Sequence, residues 1–99
     1  MKFVWTKQAL RDLAAIHGYI AVDSPFYAAM VLNTILEVEA PICAQPQAGS
    51  MIKERPRRDI RQVKRYSYRI IYRVRARQID VLTVVHSRRN FKWECSDED

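Results

Sequence analysis

The chain has 99 residues, 48% of them hydrophobic and 28% charged, and a net charge of +6. That length builds one core rather than two, and that composition excludes global disorder. No apolar run approaches the ~20 residues of a membrane helix, and Met1 to Lys7 lacks the apolar centre of a signal peptide, so the expectation is a cytoplasmic protein with no membrane partner.

Phe3-Val4-Trp5 reads as a short opening strand, with Thr6 as an N-cap whose hydroxyl can accept from the first turn of a helix. Lys7 to Val22 has no proline. Its Leu10, Leu13, Ile16, His17 and Ile20 recur at spacings of three and four, with Arg11 and Asp12 on the other side, which predicts an amphipathic helix. Gly18 suggests a close helix contact. Ser24-Pro25 suits an N-cap followed by a first helical position. A second helix is predicted from Pro25 to about Ala40, with Ala28, Val31, Leu32, Ile35 and Val38 as its apolar stripe. A link this short makes the two helices an antiparallel hairpin. Pro41, Pro46 and Gly49 then mark residues 41–50 as a loop or a frayed last turn.

Beyond Met51 the period becomes two. Ile60, Gln62 and Lys64 alternate with Arg61, Val63 and Arg65. Tyr68, Ile70, Tyr72 and Val74 share one face of the next strand, and Arg69, Ile71, Arg73 and Arg75 the other. Turns are expected around Tyr66-Ser67 and at Arg75-Ala76-Arg77-Gln78. Ile79 to His86 is almost continuously apolar, as in a strand covered on both faces or lying centrally. The predicted class is α+β in the order β-α-α-β-β-β, a helix hairpin on one face of a small antiparallel sheet, with the opening strand beside a later one. Residues 1–93 form the single domain, and residues 94–99 read as an acidic, flexible tail.

Charge is unevenly distributed. Residues 1–54 sum to −1, residues 55–93 to +11, and residues 94–99 to −4. Nine arginines and one lysine fall within 55–77, against one acid, Asp59. Such crowding repels itself and calls for an anionic partner, for which Arg61, Arg69, Arg73, Arg75, Arg88 and Arg89 form the candidate face. The competing reading is a solvated sheet face whose arginine stems cover apolar area. Tyr66, Tyr68 and Tyr72 interleave with these arginines and offer stacking surfaces, although Tyr68 and Tyr72 share a face with Ile70 and Val74, which points them at the helices. His17 falls on the first helix's apolar stripe and reads as a core or boundary residue. Cys43 and Cys95 lack partners at metal-binding spacing, so neither a metal site nor a disulfide framework is expected, and no cofactor.

Taken in order, Trp5-Thr6, Ala9-Leu10, Asp12-Leu13, Ile16, Tyr19-Ile20-Ala21, Ser24-Pro25 and Ala28 resemble the first half of the RelE/ParE toxin superfamily, as do Pro46 and Gly49. Arg58-Asp59-Ile60-Arg61, Tyr68-Arg69-Ile70-Ile71-Tyr72 and Val84-Val85-His86-Ser87-Arg88-Arg89 are similar to its ParE branch. The resemblance spans residues 3–91. It implies the β-α-α-β-β-β fold and the toxic role in a type II toxin-antitoxin module, silenced by a ParD-like antitoxin. For the ParE branch it implies inhibition of DNA gyrase without an established catalytic site. For the RelE branch it implies cleavage of messenger RNA on the ribosome.

Cleavage needs a base, phosphate-gripping cations and an acid. Arg61, Arg73, His86 and Arg88 are the candidates for such a set, with His86 as the base because imidazole suits proton transfer near neutrality. No tyrosine follows Tyr72, and Phe91 and Trp93 carry no catalytic proton, so the terminal acid is missing and the ParE branch is favoured. His86 otherwise reads as a strand-end histidine hydrogen-bonded locally. A third reading is a basic nucleic-acid-binding or antitoxin-titrating module without toxicity. Ile71 and Leu82, on the sheet face away from the helices, are the expected anchors for an antitoxin segment.

Overall fold

The structure is a computed structural model, and it describes residues 1–89. The expected 94–99 tail, Phe91, Trp93 and Cys95 therefore lie outside the described residues. Strand β1 (Lys2–Trp5) leads into helix α1 (Lys7–Ala21), then α2 (Pro25–Leu36) and a short α3 (Glu39–Ala44). After a 3-10 turn at Pro46–Ala48 come β2 (Ser50–Met51), β3 (Ile60–Arg65), β4 (Tyr68–Val74) and β5 (Gln78–His86). The sheet order is β1-β5-β4-β3-β2.

Both helix starts follow the local chemistry. The Thr6 hydroxyl accepts from Ala9 N at 3.2 Å, and the Ser24 hydroxyl from Tyr27 N at 3.1 Å. The second helix departs from expectation. It stops at Leu36, and Val38 caps a new helix that contains Pro41. A helix continuing through Pro41 would lack the bond to Glu37 O and press the ring against it; restarting at Glu39 puts Pro41 in a first turn, where no N–H is needed. Pro25–Ala44 together make 20 residues long and apolar enough, by length and composition, to cross a membrane, which corrects the expectation that no such run exists. Here Val31, Ile35, Val38 and Ile42 are buried in the core.

Two features of the sheet also differ. It has five strands, since the two-residue β2, too short to show a period, adds to the edge of β3. It is not wholly antiparallel, because β1 runs parallel to β5, with Phe3 opposite Ile79 and Trp5 opposite Val81. A three-residue strand cannot announce its direction in sequence; the crossover through the helix hairpin imposes it. The position of β5 between β1 and β4 explains its apolar run.

The pairing of β4 with β5 slips by one residue: Ile71 faces Thr83, yet Tyr72 faces Val81, leaving Leu82 as a bulge. This resets the alternation. Ile79, Val81 and Val84 enter the main core under the helices, with Ala9, Leu13, Val31, Ile35, Ile70 and Tyr72. Leu82 and Val85 point the other way, into a smaller cluster with Ile52, Ile60 and Ile71. Helix α1 takes up the disturbed polar groups. Thr6 Oγ1 donates to Val81 O at 2.7 Å, and Asp12 Oδ2 accepts from Val84 N at 3.0 Å and from the Thr83 hydroxyl. Asp12 was expected on the solvent side; it faces the sheet and accepts from Val84 N, which lies past the end of the β1 pairing. Gly18, by contrast, serves no close contact, since a Cβ there meets nothing within 4 Å.

Gly49 does serve one. A Cβ added to it would overlap the Tyr72 hydroxyl and lie 2.8 Å from Gln62 O. That hydroxyl donates to Pro46 O at 2.8 Å and ties the 3-10 turn to the sheet. Gly49→Ala is therefore expected to cost about 1–3 kcal/mol through overpacking. Urea denaturation measures it, and the added cost should shrink in a Tyr72→Phe background, where the hydroxyl is gone.

Candidate functional site

The arginines sort into two groups once their partners are known. Arg69 projects from β4 on the face away from the helices and is almost buried, its side chain 8% exposed. Its Nη1 and Nη2 each lie 2.9 Å from Glu54 oxygens, in a bidentate pair. Nε donates to Gln62 Oε1 at 2.7 Å, and Nη1 also to Arg89 O at 3.0 Å. Around this pair lies an open hollow of about 550 Å³ lined by Lys53, Glu54, Gln62, Lys64, Arg69 and Ser87.

Arg75 Nη1 meets Asp80 Oδ2 at 2.9 Å, and Asp80 is buried. Arg57 Nη2 meets Asp59 Oδ2 at 2.7 Å, with Arg73 Nε 3.4 Å from the same oxygen. Burial pushes the Asp59 carboxyl up, but hydrogen bonding and charge from Arg57, its own backbone and the Arg73 charge together outweigh this, holding it below its ordinary 3.8. Arg69, Arg73 and Arg75 thus do not wait for an outside anion. Counting acids within 55–77 missed this, because Glu54 and Asp80 flank that window and pairing brings them back across it.

Arg61 is satisfied differently. Its guanidinium binds Arg58 O at 2.9 Å, Gly49 O at 3.0 Å and Gln47 Oε1 at 3.0 Å, so it fastens β3 to the 3-10 turn. Ile71 and Leu82 lie on the predicted sheet face, yet they are 0% and 7% exposed. Ile52 and Ile60 cover them, so in this structure neither offers a partner an anchor.

Arg88 and Arg89 follow β5 and are exposed. Among the described residues neither pairs with a carboxylate, nor do Lys64 and Arg65 from the end of β3. His86 is exposed at the strand end; its Nδ1 accepts from Arg88 N at 3.2 Å, and its ring meets Tyr68 edge-on at 5.8 Å. His17 is half-buried on α1.

The candidate cleavage set splits, with Arg88 beside His86 and with Arg61 and Arg73 toward the other end of the strands. His86 is opposite Tyr68 at one end of β4, while Arg73 lies five residues along, about 17 Å at the rise of a strand. Arg61 is opposite Tyr72 and committed to the 3-10 turn. One reacting phosphate cannot meet Arg61, Arg73 and His86 together. What the arrangement can do is bind: it presents exposed cations with no carboxylate partner among the described residues and an apolar, uncharged α2 surface, with Phe26 77% exposed.

The family model for the ParE toxin of the type II toxin-antitoxin system parDE matches residues 3–91. No curated protein sequence matches the chain. Among solved structures, the chromosomal ParDE toxin-antitoxin system from P. aeruginosa is similar at 26% identity and a TM-score of 0.72, over 87% of this chain and 95% of that one. The toxin-antitoxin complex RelBE2 from Mycobacterium tuberculosis shares the fold, at 21% identity and a TM-score of 0.60, over 86% and 95% of the two chains.

Two outcomes test the pairing. Glu54→Gln leaves a nearly buried guanidinium without its counter-charge and is expected to cost about 3 kcal/mol in urea denaturation. Asp59 has a folded value lowered below 3.8, so its stabilisation is complete above that pH and drains as pH falls through the folded value. Acid unfolding of Asp59→Asn, which lacks this titration, should show a shallower loss of stability below about pH 4 than the native chain.

Proposed function

The chain belongs to the ParE toxin family of type II toxin-antitoxin systems, and from that premise we propose that it arrests growth by inhibiting DNA gyrase, held silent by a ParD-like antitoxin. The observation that carries the inhibitor reading over ribosome-dependent cleavage is the dispersal of Arg61, Arg73 and His86 along the sheet. An inhibitor needs a surface rather than a reacting constellation, and binding energy concentrated in exposed aromatic and arginine side chains is how such surfaces work. Its site of action is the cytoplasm, where its target works.

A protein partner is supported by helix α2. Residues 24–36 carry no charge at all. The face of α2 turned from the core leaves Phe26, Met30 and Leu36 exposed, next to Val22. An apolar patch of this kind marks an interaction surface. Both solved relatives above come from toxin-antitoxin systems, one of them a complex, which supports an antitoxin as the occupant. Since Ile71 and Leu82 are covered, the antitoxin's apolar residues would meet the hairpin rather than the far face of the sheet.

Induced expression is expected to stop growth, relax plasmid DNA and leave messenger RNA intact, and co-expression of the neighbouring small open reading frame should restore growth. Cut messages with unaltered supercoiling would replace gyrase inhibition with ribosomal cleavage. Phe26→Asp, on an exposed position, should weaken antitoxin capture at least tenfold in a pull-down, while toxicity persists.

A further inference from the structure

Four of the five tyrosines gather at one end of the molecule, although they come from four different elements. Tyr19 sits in the last turns of α1, Tyr27 in the first turn of α2, Tyr66 in the β3–β4 turn, and Tyr68 at the start of β4. Tyr27 and Tyr66 meet edge-on at 6.2 Å, and Tyr68 and His86 at 5.8 Å. Burial, with the nearby phenols of Tyr27 and Tyr19, pushes the Tyr68 hydroxyl above its ordinary 10.0, a sign of how closely these rings are set. A groove of about 440 Å³ between α1 and the end of β5 is lined by Asp12, Ala15, Tyr19, Tyr68, His86 and Arg89, among others. Tyr19 is 81% exposed and Tyr66 52%.

Four cations with no carboxylate partner among the described residues lie at this same end, although Arg58 and Arg77, likewise without one, lie at the other. Lys64 and Arg65 close β3, and Arg88 and Arg89 follow β5, whereas the internally matched Arg57, Arg73 and Arg75 lie at the opposite end of the strands. Tyr66 adds an independent observation. Its φ is 53°, a left-handed conformation that is rare for a bulky residue and that glycine would adopt at less cost. The turn therefore holds an aromatic ring in the open where local sterics favour having no side chain, and such outliers gather at functional positions.

We propose that this end of the protein binds single-stranded nucleic acid, with bases stacked on Tyr19, Tyr66 and the Tyr68–His86 pair and phosphates held by Arg65, Arg88 and Arg89. Exposed aromatic faces interleaved with free cations match the two components of a strand, unstacked bases and a polyanionic backbone. An acidic peptide would satisfy the cations but not the rings. A duplex keeps its base faces stacked and would use only the charges. Asp12 lines the groove too, but its Oδ2 is occupied by Val84 N and the Thr83 hydroxyl and its Oδ1 accepts from Gln8 at 2.9 Å, so little of its charge opposes a phosphate. The site adjoins α2's apolar face at Tyr27, but the inference does not rest on gyrase inhibition: it is read in a purified binding assay, which can fail while growth arrest persists.

The test is fluorescence anisotropy of the purified full chain with labelled dT12 and U12, at 50 and 200 mM salt. The native chain is expected to bind one or both, the two oligonucleotides separating DNA from RNA. Tyr19→Ala, and Tyr66→Gly, which suits the left-handed backbone, should each weaken binding about 5- to 150-fold, as loss of one stacked base does, with an unchanged salt slope and circular dichroism spectrum. Arg88→Ala and Arg89→Ala should each reduce the slope of log K against log salt by about 0.7. Absence of binding at 50 mM salt, or binding unaltered by both tyrosine substitutions, overturns the proposal.

Discussion

The bulge at Leu82 sets the geometry on which everything else in this protein depends. It turns Val84 toward the helices while Leu82 and Val85 turn away, so one apolar strand serves two clusters. Past Val81, where the pairing with β1 ends, β5 also carries polar backbone atoms that no strand covers. Thr6 and Asp12 satisfy them from α1, and an unmet buried donor would cost roughly 1–3 kcal/mol. Helix α1 is thereby locked along β5, with Asp12 at the bulge and Tyr19 carried to the strand's end. Without that lock, Tyr19 and Tyr68 would have no reason to share a groove.

The second organising effect is the division of the basic charge. A buried guanidinium must be matched, because removing a charge from water costs several kcal/mol. Arg69 is matched by Glu54, and at the other pair it is the buried Asp80 carboxylate that the exposed Arg75 matches. These pairs, found at both ends of the sheet, spend charge on structure, while Lys64, Arg65, Arg88 and Arg89 meet no carboxylate among the described residues. The +6 total is thus a poor guide to the surface, and the position of each carboxylate decides which cations are available.

Much of the architecture was legible because it rests on local chemistry. Thr6, Ser24 and Pro25 mark helix starts through orphan amides. The alternation through Tyr68–Val74 fixes which side meets the helices, and Tyr72 and Ile70 are indeed buried there. The break at Glu37–Val38 was half visible, since Pro41 had to interrupt something, but where the helix yields depends on core packing of Val38. The parallel β1, the two-residue β2 and the bulge left no periodic signal. Among candidate site residues, Arg88 and Arg89 emerged exposed as the charge pattern suggested, whereas Ile71, on the face foreseen, proved to be covered by Ile52. Tyr19 and Tyr27 were passed over because helical tyrosines near a turn look ordinary until a sheet end is placed beside them.

Sequence alone determined the six principal elements and their order, the faces of the longer strands and the surplus of positive charge, because each follows from spacing and side-chain type within a few residues. Tertiary structure alone decided which arginines keep their charge free and which aromatic rings stand together. Those outcomes depend on the meeting of residues such as Asp12 and Val84 or Tyr68 and His86, distant along the chain, which is set by strand register and by a single extra residue in β5.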